Sequence, residues 1–260
     1  MTFGTTSSGT FYYFNNKQQS IPIVFIHGVG LTHEIWEPQL NFFKDYSTIS
    51  YDILGHGKTL LEKREISFDD FSDQLINLID ELKIDKIHLV GFSIGSLIAR
   101  NFAIRFNDRI KSLILLCSIY KRSKEQQKIV NERFDQAKKE LKLSKLALKR
   151  WFTDEYLEKN PNIYEKITSI LSANNMENFL KVYELFVAHK NDEDFNKIKA
   201  KTLIMTGEHD TGSTTAMSEE LNKIIKDSQL KIINNGKHLC GIECADNVNL
   251  TIKNFIDKNE

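Results

Sequence analysis

The chain has 260 residues, 41% of them hydrophobic, enough to bury the core of one α/β domain with an insertion or of two small domains. Thirty-five basic residues balance thirty-five acidic ones, so no overall field draws the chain to nucleic acid or to an anionic membrane surface. No apolar run approaches a membrane span, the first residues lack a basic segment leading into an apolar one, and Cys117, Cys240 and Cys244 show no metal-type spacing; a soluble, cytoplasmic protein with reduced thiols, no metal and no cofactor is expected.

Residues 11–14 and 21–26 read as strands, the second a continuous apolar run of the kind buried on both faces, ending at His27-Gly28-Val29-Gly30. Another short strand, 48–51, ends at Asp52. Across 67–82, Phe68, Phe71, Leu75, Leu78, Ile79 and Leu82 fall on one helical stripe, with Ser67 as N-cap. The apolar segment 86–90 runs into Gly91-Phe92-Ser93-Ile94-Gly95 and then a helix over 96–106, and 110–117 reads as a further buried strand. From 118 to 196 strands vanish, and Lys/Glu-rich segments of helical period such as 125–141 and 176–189 take over. The alternation resumes with a strand at 201–206, a helix near 214–226, a strand at 229–233 and a last helix around 245–256. Such alternation implies parallel strands covered on both faces. One core, 1–117 with 197–260, carrying a helical cap, 118–196, is the expected organisation.

Ser93 stands where a buried strand turns abruptly into a helix. The corner residue there is strained, and side chains two positions to either side would collide, which glycine at 91 and 95 avoids. The following helix aims its free N–H groups and positive dipole end at the corner, where an oxyanion would form. Ser93 is therefore the candidate nucleophile, and a serine hydroxyl needs a base and a group that orients the base. His238 follows the last predicted strand and Asp210 the one before it, so nucleophile, acid and base run in the order Ser93, Asp210, His238. Glu208 ranks second as the acid. The N–H groups of Val29, in the glycine-bearing turn after the first buried strand, and of Ile94 are the candidate oxyanion donors, and His27 reads as a structural hydrogen-bonding group. Within the cap, Trp151, Phe152, Phe179 and Tyr183, together with Tyr156 and Phe186, are candidate pocket residues, and Arg122 or Arg150 a candidate partner for a substrate carboxylate.

Taken together, His27-Gly28, Tyr51-Asp52 with Gly55-His56-Gly57, the 91–95 pentapeptide, Thr206-Gly207 with Asp210, and Gly236 with His238 resemble the α/β-hydrolase superfamily over nearly the whole chain. Residues 31–40 and Arg150-Trp151-Phe152-Thr153 are similar to small bacterial hydrolases of the 3-oxoadipate enol-lactonase type and to related carboxylesterases. The resemblance implies an α/β-hydrolase fold, a mostly parallel central sheet with helices on both faces and a helical cap insertion. It implies cofactor-free hydrolysis of a small-molecule ester or lactone by a monomer or homodimer. Two alternatives stay open: a carbon–carbon bond hydrolase of ring-fission products, and a non-catalytic ligand-binding or signalling module on the same scaffold. Superfamily members that carry an aspartate at the corner, epoxide hydrolases and haloalkane dehalogenases, are disfavoured by the serine.

Overall fold

The computed structural model describes residues 2–17, 20–140 and 146–259. In chain order the core contributes β1 (Thr2–Thr5), β2 (Phe11–Asn15), β3 (Ile23–Ile26), α1 (Glu37–Phe42), β4 (Thr48–Tyr51), α2 (Phe68–Glu81), β5 (Ile87–Phe92), α3 (Ile94–Arg105) and β6 (Ile110–Leu116). A helical insertion follows, comprising α4 (Lys124–Glu140), α5 (Leu146–Trp151), α6 (Asp154–Lys159), α7 (Pro161–Ser172) and α8 (Met176–Ala188). Then come β7 (Lys201–Gly207), α9 (Thr215–Ile224), β8 (Ser228–Ile233), α10 (Cys240–Glu243) and α11 (Ala245–Asp257).

The strands form one eight-stranded sheet in the order β1-β2-β4-β3-β5-β6-β7-β8, antiparallel at its β1-β2-β4 edge and parallel from β4 onward. Alternate residues of each central strand feed opposite layers. Val24, Ile26 and Leu89 pack with α2, α3 and α9, whereas Ile23, Phe25 and Val90 pack with Trp36, Phe43 and the Val248, Ile252 and Phe255 face of α11. This two-faced burial is why the strands read as unbroken apolar runs. Among the described residues no helix is long and apolar enough to cross a membrane.

The elements depart from expectation in instructive places. β1 carries no apolar pattern because it is an edge strand whose side chains are largely exposed. The ladder of β3 starts at Ile23 rather than residue 21, since Pro22 has no N–H to donate and contributes only its carbonyl, to the His88 N–H at 2.9 Å. Helix α3 starts at Ile94, immediately after the corner serine. The expected helix 125–141 is α4 as far as Glu140, its last residue lying outside the described ones.

One buried side chain ties both ends of the insertion to the core. Arg100, on α3 and fully buried, donates to the Ser118 hydroxyl at 3.3 Å and the Ile119 carbonyl at 2.8 Å, where the insertion leaves the sheet. Its other nitrogen bonds Asn191 at 3.3 Å and pairs with Glu193, where the chain returns. His189 lies 3.2 Å from the same carboxylate.

Candidate active site

The turn from β5 into α3 places Ser93 at φ +55°, ψ −120°, backbone that side-chain-bearing residues rarely adopt. Its neighbours show why glycine is needed: a Cβ on Gly91 would stand 2.2 Å from the Gly95 carbonyl oxygen, and one on Gly95 would stand 2.4 Å from that of Ile26. The corner is thus pressed against both its own helix and the end of β3.

Two loops at the carboxyl ends of the neighbouring parallel strands bring in the other expected residues. The His238 Nε2 lies 3.2 Å from the Ser93 Oγ, and its Nδ1 lies 2.7 Å from the Asp210 Oδ2. The second carboxylate oxygen of Asp210 accepts the N–H groups of Gly212 at 2.8 Å and Ser213 at 3.0 Å, which fixes the rotamer. Burial alone would push the Asp210 carboxyl up. The neighbouring imidazole and these two amides outweigh it and hold the group below the usual carboxylate range. For His238, burial disfavours the cation, but the Asp210 carboxylate overcomes this and raises the imidazole above its ordinary value. Glu208 does not compete: it accepts the Asn235 N–H at 2.9 Å on the outer side of its loop.

Opposite Ser93, a Cβ on Gly28 would come within 3.4 Å of the serine Cβ, so the turn after β3 passes close to the corner. Val29 of this turn lines the cavity over Ser93, and the Ile94 N–H opens α3, where no intrahelical acceptor exists. Two buried imidazoles hold the turn. His56 Nε2 accepts the Gly30 N–H at 2.8 Å, while His27 donates Nδ1–H to the Gly28 carbonyl at 2.8 Å and accepts the Ile53 N–H at its Nε2 at 3.1 Å. Asp52 accepts the His33 and Lys58 N–H groups at 2.9 Å each.

Accepting a backbone N–H requires a neutral imidazole, and burial lowers His27 to about 4 and His56 to about 3. Buried His88 is likewise lowered to about 4. Between pH 6.5 and about 4 the unfolded chain binds protons at these positions that the folded chain refuses, so stability is full above that window and falls as pH drops through it. Each histidine contributes about 1.4 kcal/mol per pH unit. Denaturant midpoints measured from pH 7 to 4 should fall steeply, and a flat profile would contradict the buried neutral assignment.

A cavity of about 260 Å³ opens over Ser93 and His238 beneath α4, α5 and α8. Trp151, Phe179 and Tyr183 line it, as does Phe186. Phe152 does not, which corrects its assignment as a pocket residue. It is fully buried among Leu148, Ile167 and Leu171, stacked on Tyr156 at 5.4 Å, because neighbouring residues at a helix end point in directions about 100° apart, so only one of Trp151 and Phe152 faces the cavity. Tyr156 shares that core-facing position.

Sequence reasoning missed Phe92, whose ring is 5.0 Å from that of His238, and Cys117, at φ +52°, whose thiol donates to the His238 carbonyl at 3.2 Å. It also missed Arg133, which lines the cavity with Arg122 and Arg150. Its signal was present: Gln126, Ile129, Val130, Arg133, Gln136 and Ala137 recur at helical spacing, forming the cavity face of α4. Among the described residues none of the three guanidiniums forms an ion pair. Burial lowers Arg122 to about 10, and burial with the Arg133 charge lowers Arg150.

The family model for the alpha/beta hydrolase fold matches residues 21–243. The chain is 28% identical, over 98% of its length and 97% of the relative's, to an (E)-2-((N-methylformamido)methylene)succinate hydrolase of Acinetobacter baylyi. It is 25% identical to 3-oxoadipate enol-lactonase 2 of the same organism, over 85% of this chain and 83% of that one. The crystal structure of an enol-lactonase from Burkholderia xenovorans superposes with a TM-score of 0.90 at 24% identity, covering 98% of this chain and all of that one, a likeness of fold. Since the matched span takes in the Ser93 corner and the Asp210 and His238 loops alike, the chain belongs to the α/β hydrolase fold family.

Proposed function

We propose that this protein is a serine hydrolase that cleaves a small carboxylic ester or lactone through an acyl-enzyme. The observation that carries the reading is the continuous hydrogen-bonded line from Ser93 Oγ through His238 to Asp210, at 3.2 and 2.7 Å. His238 Nε2 takes the hydroxyl proton as Ser93 Oγ attacks the substrate carbonyl, and the Val29 and Ile94 amides hold the oxyanion. The Asp210 carboxylate stabilises the imidazolium, which returns the proton to the departing alkoxide. Water, deprotonated by His238, then attacks the acyl-enzyme and releases the acid. In a lactone the leaving oxygen stays attached to the acyl chain throughout, and water releases the ring-opened acid as a single product. Residues 118–196 act as a cap that shapes the pocket over the core formed by 1–117 and 197–260.

The arginines narrow the substrate. Arg122 donates to the Phe186 and Val187 carbonyls, which leaves Arg133 and Arg150 as partly buried guanidiniums without counter-ions among the described residues, costly unless a ligand supplies the charge, and this fits an ester or lactone that also bears a carboxylate. The two Acinetobacter baylyi relatives are named for a succinate derivative and an oxoadipate enol-lactone. A charged hydrogen bond contributes about 1.5–3 kcal/mol, so Arg150→Ala should lower kcat/KM for a carboxylate-bearing ester by about 10–100-fold relative to its neutral methyl-ester analogue. An equal loss on both would place the arginine outside substrate recognition.

A panel of short p-nitrophenyl esters, carboxylate-bearing lactones and vinylogous diketone ring-fission products tests the reading. Fast turnover of esters or lactones, with Ser93 labelled by a fluorophosphonate, is expected. Preference for the diketones would favour carbon–carbon cleavage, and ligand-induced thermal stabilisation without turnover would favour a binding module.

A further inference from the structure

Cys117, Asp210 and His238 are far apart in the chain, which is why cysteine spacing alone gives no metal-type signal. In the fold they converge from three loops, and one donor atom from each, a sulfur, a carboxylate oxygen and a ring nitrogen, lie within 4.8 Å of one another. Among the described residues this is the one such cluster of three or more potential ligands. A second thiol, Cys240, stands behind it with its sulfur 3.7 Å from that of Cys117, and both cysteines are buried. Ligands on one tetrahedral zinc, at about 2.0–2.3 Å from the ion, lie roughly 3.3–3.8 Å apart. The Asp210–His238 contact, now 2.7 Å, must open by roughly half an ångström, and the Cys117 sulfur, which shares a span of 4.8 Å with those two donors, must draw in by about one ångström. Asp210 and His238 also line the cavity, which gives an ion its way in.

We infer that Cys117, Asp210 and His238 form an inhibitory site for a soft divalent cation of the Zn²⁺ type. The ion bonds to the Cys117 sulfur, a carboxylate oxygen of Asp210 and the Nδ1 of His238. The thiol proton leaves to solvent, and the proton formerly on Nδ1 moves to Nε2. A neutral imidazole has one lone pair in the ring plane, so once the metal holds it at Nδ1 the Nε2 facing Ser93 carries a hydrogen and accepts no proton. The enzyme is then locked in the tautomer that cannot act as base. Hard cations such as Mg²⁺, which prefer oxygen shells, lack this effect because a thiol and an imidazole suit softer ions. Binding stands on the donor geometry alone, whereas inhibition rests on the serine-hydrolase reading above.

Co²⁺ titrated into Ser93→Ala reads the binding without any need for activity. A thiolate-to-cobalt charge-transfer absorption in the near ultraviolet is expected, and it should disappear in Ser93→Ala/Cys117→Ala and be displaced by Zn²⁺. In the unmodified enzyme, Zn²⁺ should suppress hydrolysis reversibly, EDTA restoring it and Mg²⁺ having no effect. With each rate normalised to its own metal-free value, Cys117→Ala should need at least about tenfold more Zn²⁺ for half-inhibition. Cys117→Ser serves the same comparison if the alanine variant does not fold. Absence of the cobalt band, its persistence without Cys117, or equal zinc sensitivity of both enzymes would overturn the site. A thiolate band in a protein that hydrolyses nothing on the panel would retain the site and remove the serine-hydrolase reading instead.

Discussion

Ser93→Ala should lower kcat for the best ester or lactone by about 10⁶-fold while leaving the fold intact. The loss is large because nucleophile and base act as one unit: without the hydroxyl, His238 has no proton to take and the route falls back on unassisted water in the cavity. The amides of Val29 and Ile94 survive the change, so a residual acceleration over solution of about 10³–10⁴ should remain. The Ser93 side chain makes a single hydrogen bond, to His238, so its removal costs about 1 kcal/mol of stability and shifts Tm by about 2–4 °C. Steady-state kinetics with a matched melting curve checks both halves. Unchanged turnover would remove the serine from the chemistry, and a collapse in Tm would assign it to the fold.

Asp210→Asn should reduce kcat by about 10⁴-fold with little change in KM. The structure dictates which way the amide sits. One carboxylate oxygen accepts two backbone N–H groups, from Gly212 and Ser213, so the amide oxygen stays there and the NH₂ group turns to His238 Nδ1. As a donor, it forces Nδ1 to accept, and Nε2 then carries the hydrogen and points it at Ser93, leaving no base. Because both substitutions disable one unit, Ser93→Ala/Asp210→Asn should be no slower than Ser93→Ala alone. Multiplicative losses in the double variant would show that Asp210 acts separately from the serine.

The sheet was legible because its central strands are buried on both faces and so stand out as apolar runs. The Ser93 corner was legible because glycine at 91 and 95 reports a steric requirement that the carbonyls of residues 95 and 26 impose. Asp210 and His238 were readable from chain order and loop position, although their meeting depends on loop paths that no local pattern encodes. Less was legible in the insertion. Helices α5 and α6 span only six residues each, too short to show a period, and exposed charge on α4 concealed the inward row to which Arg133 belongs. Trp151 and Phe152 were read alike because aromatic composition carries no direction, whereas one turns toward the cavity and the other into the core. The Cys117 contact with the His238 carbonyl had no local signal at all.

Arg100 gives the insertion its mechanical boundary conditions. A roof pinned at both roots to the helix that begins at the nucleophile is an arch, and Asn174, donating to the Gly30 carbonyl, with Thr153, donating to Glu243, braces that arch along its span as well. The helix that carries the serine and the roof above it therefore share one support, and loosening either footing would slacken both.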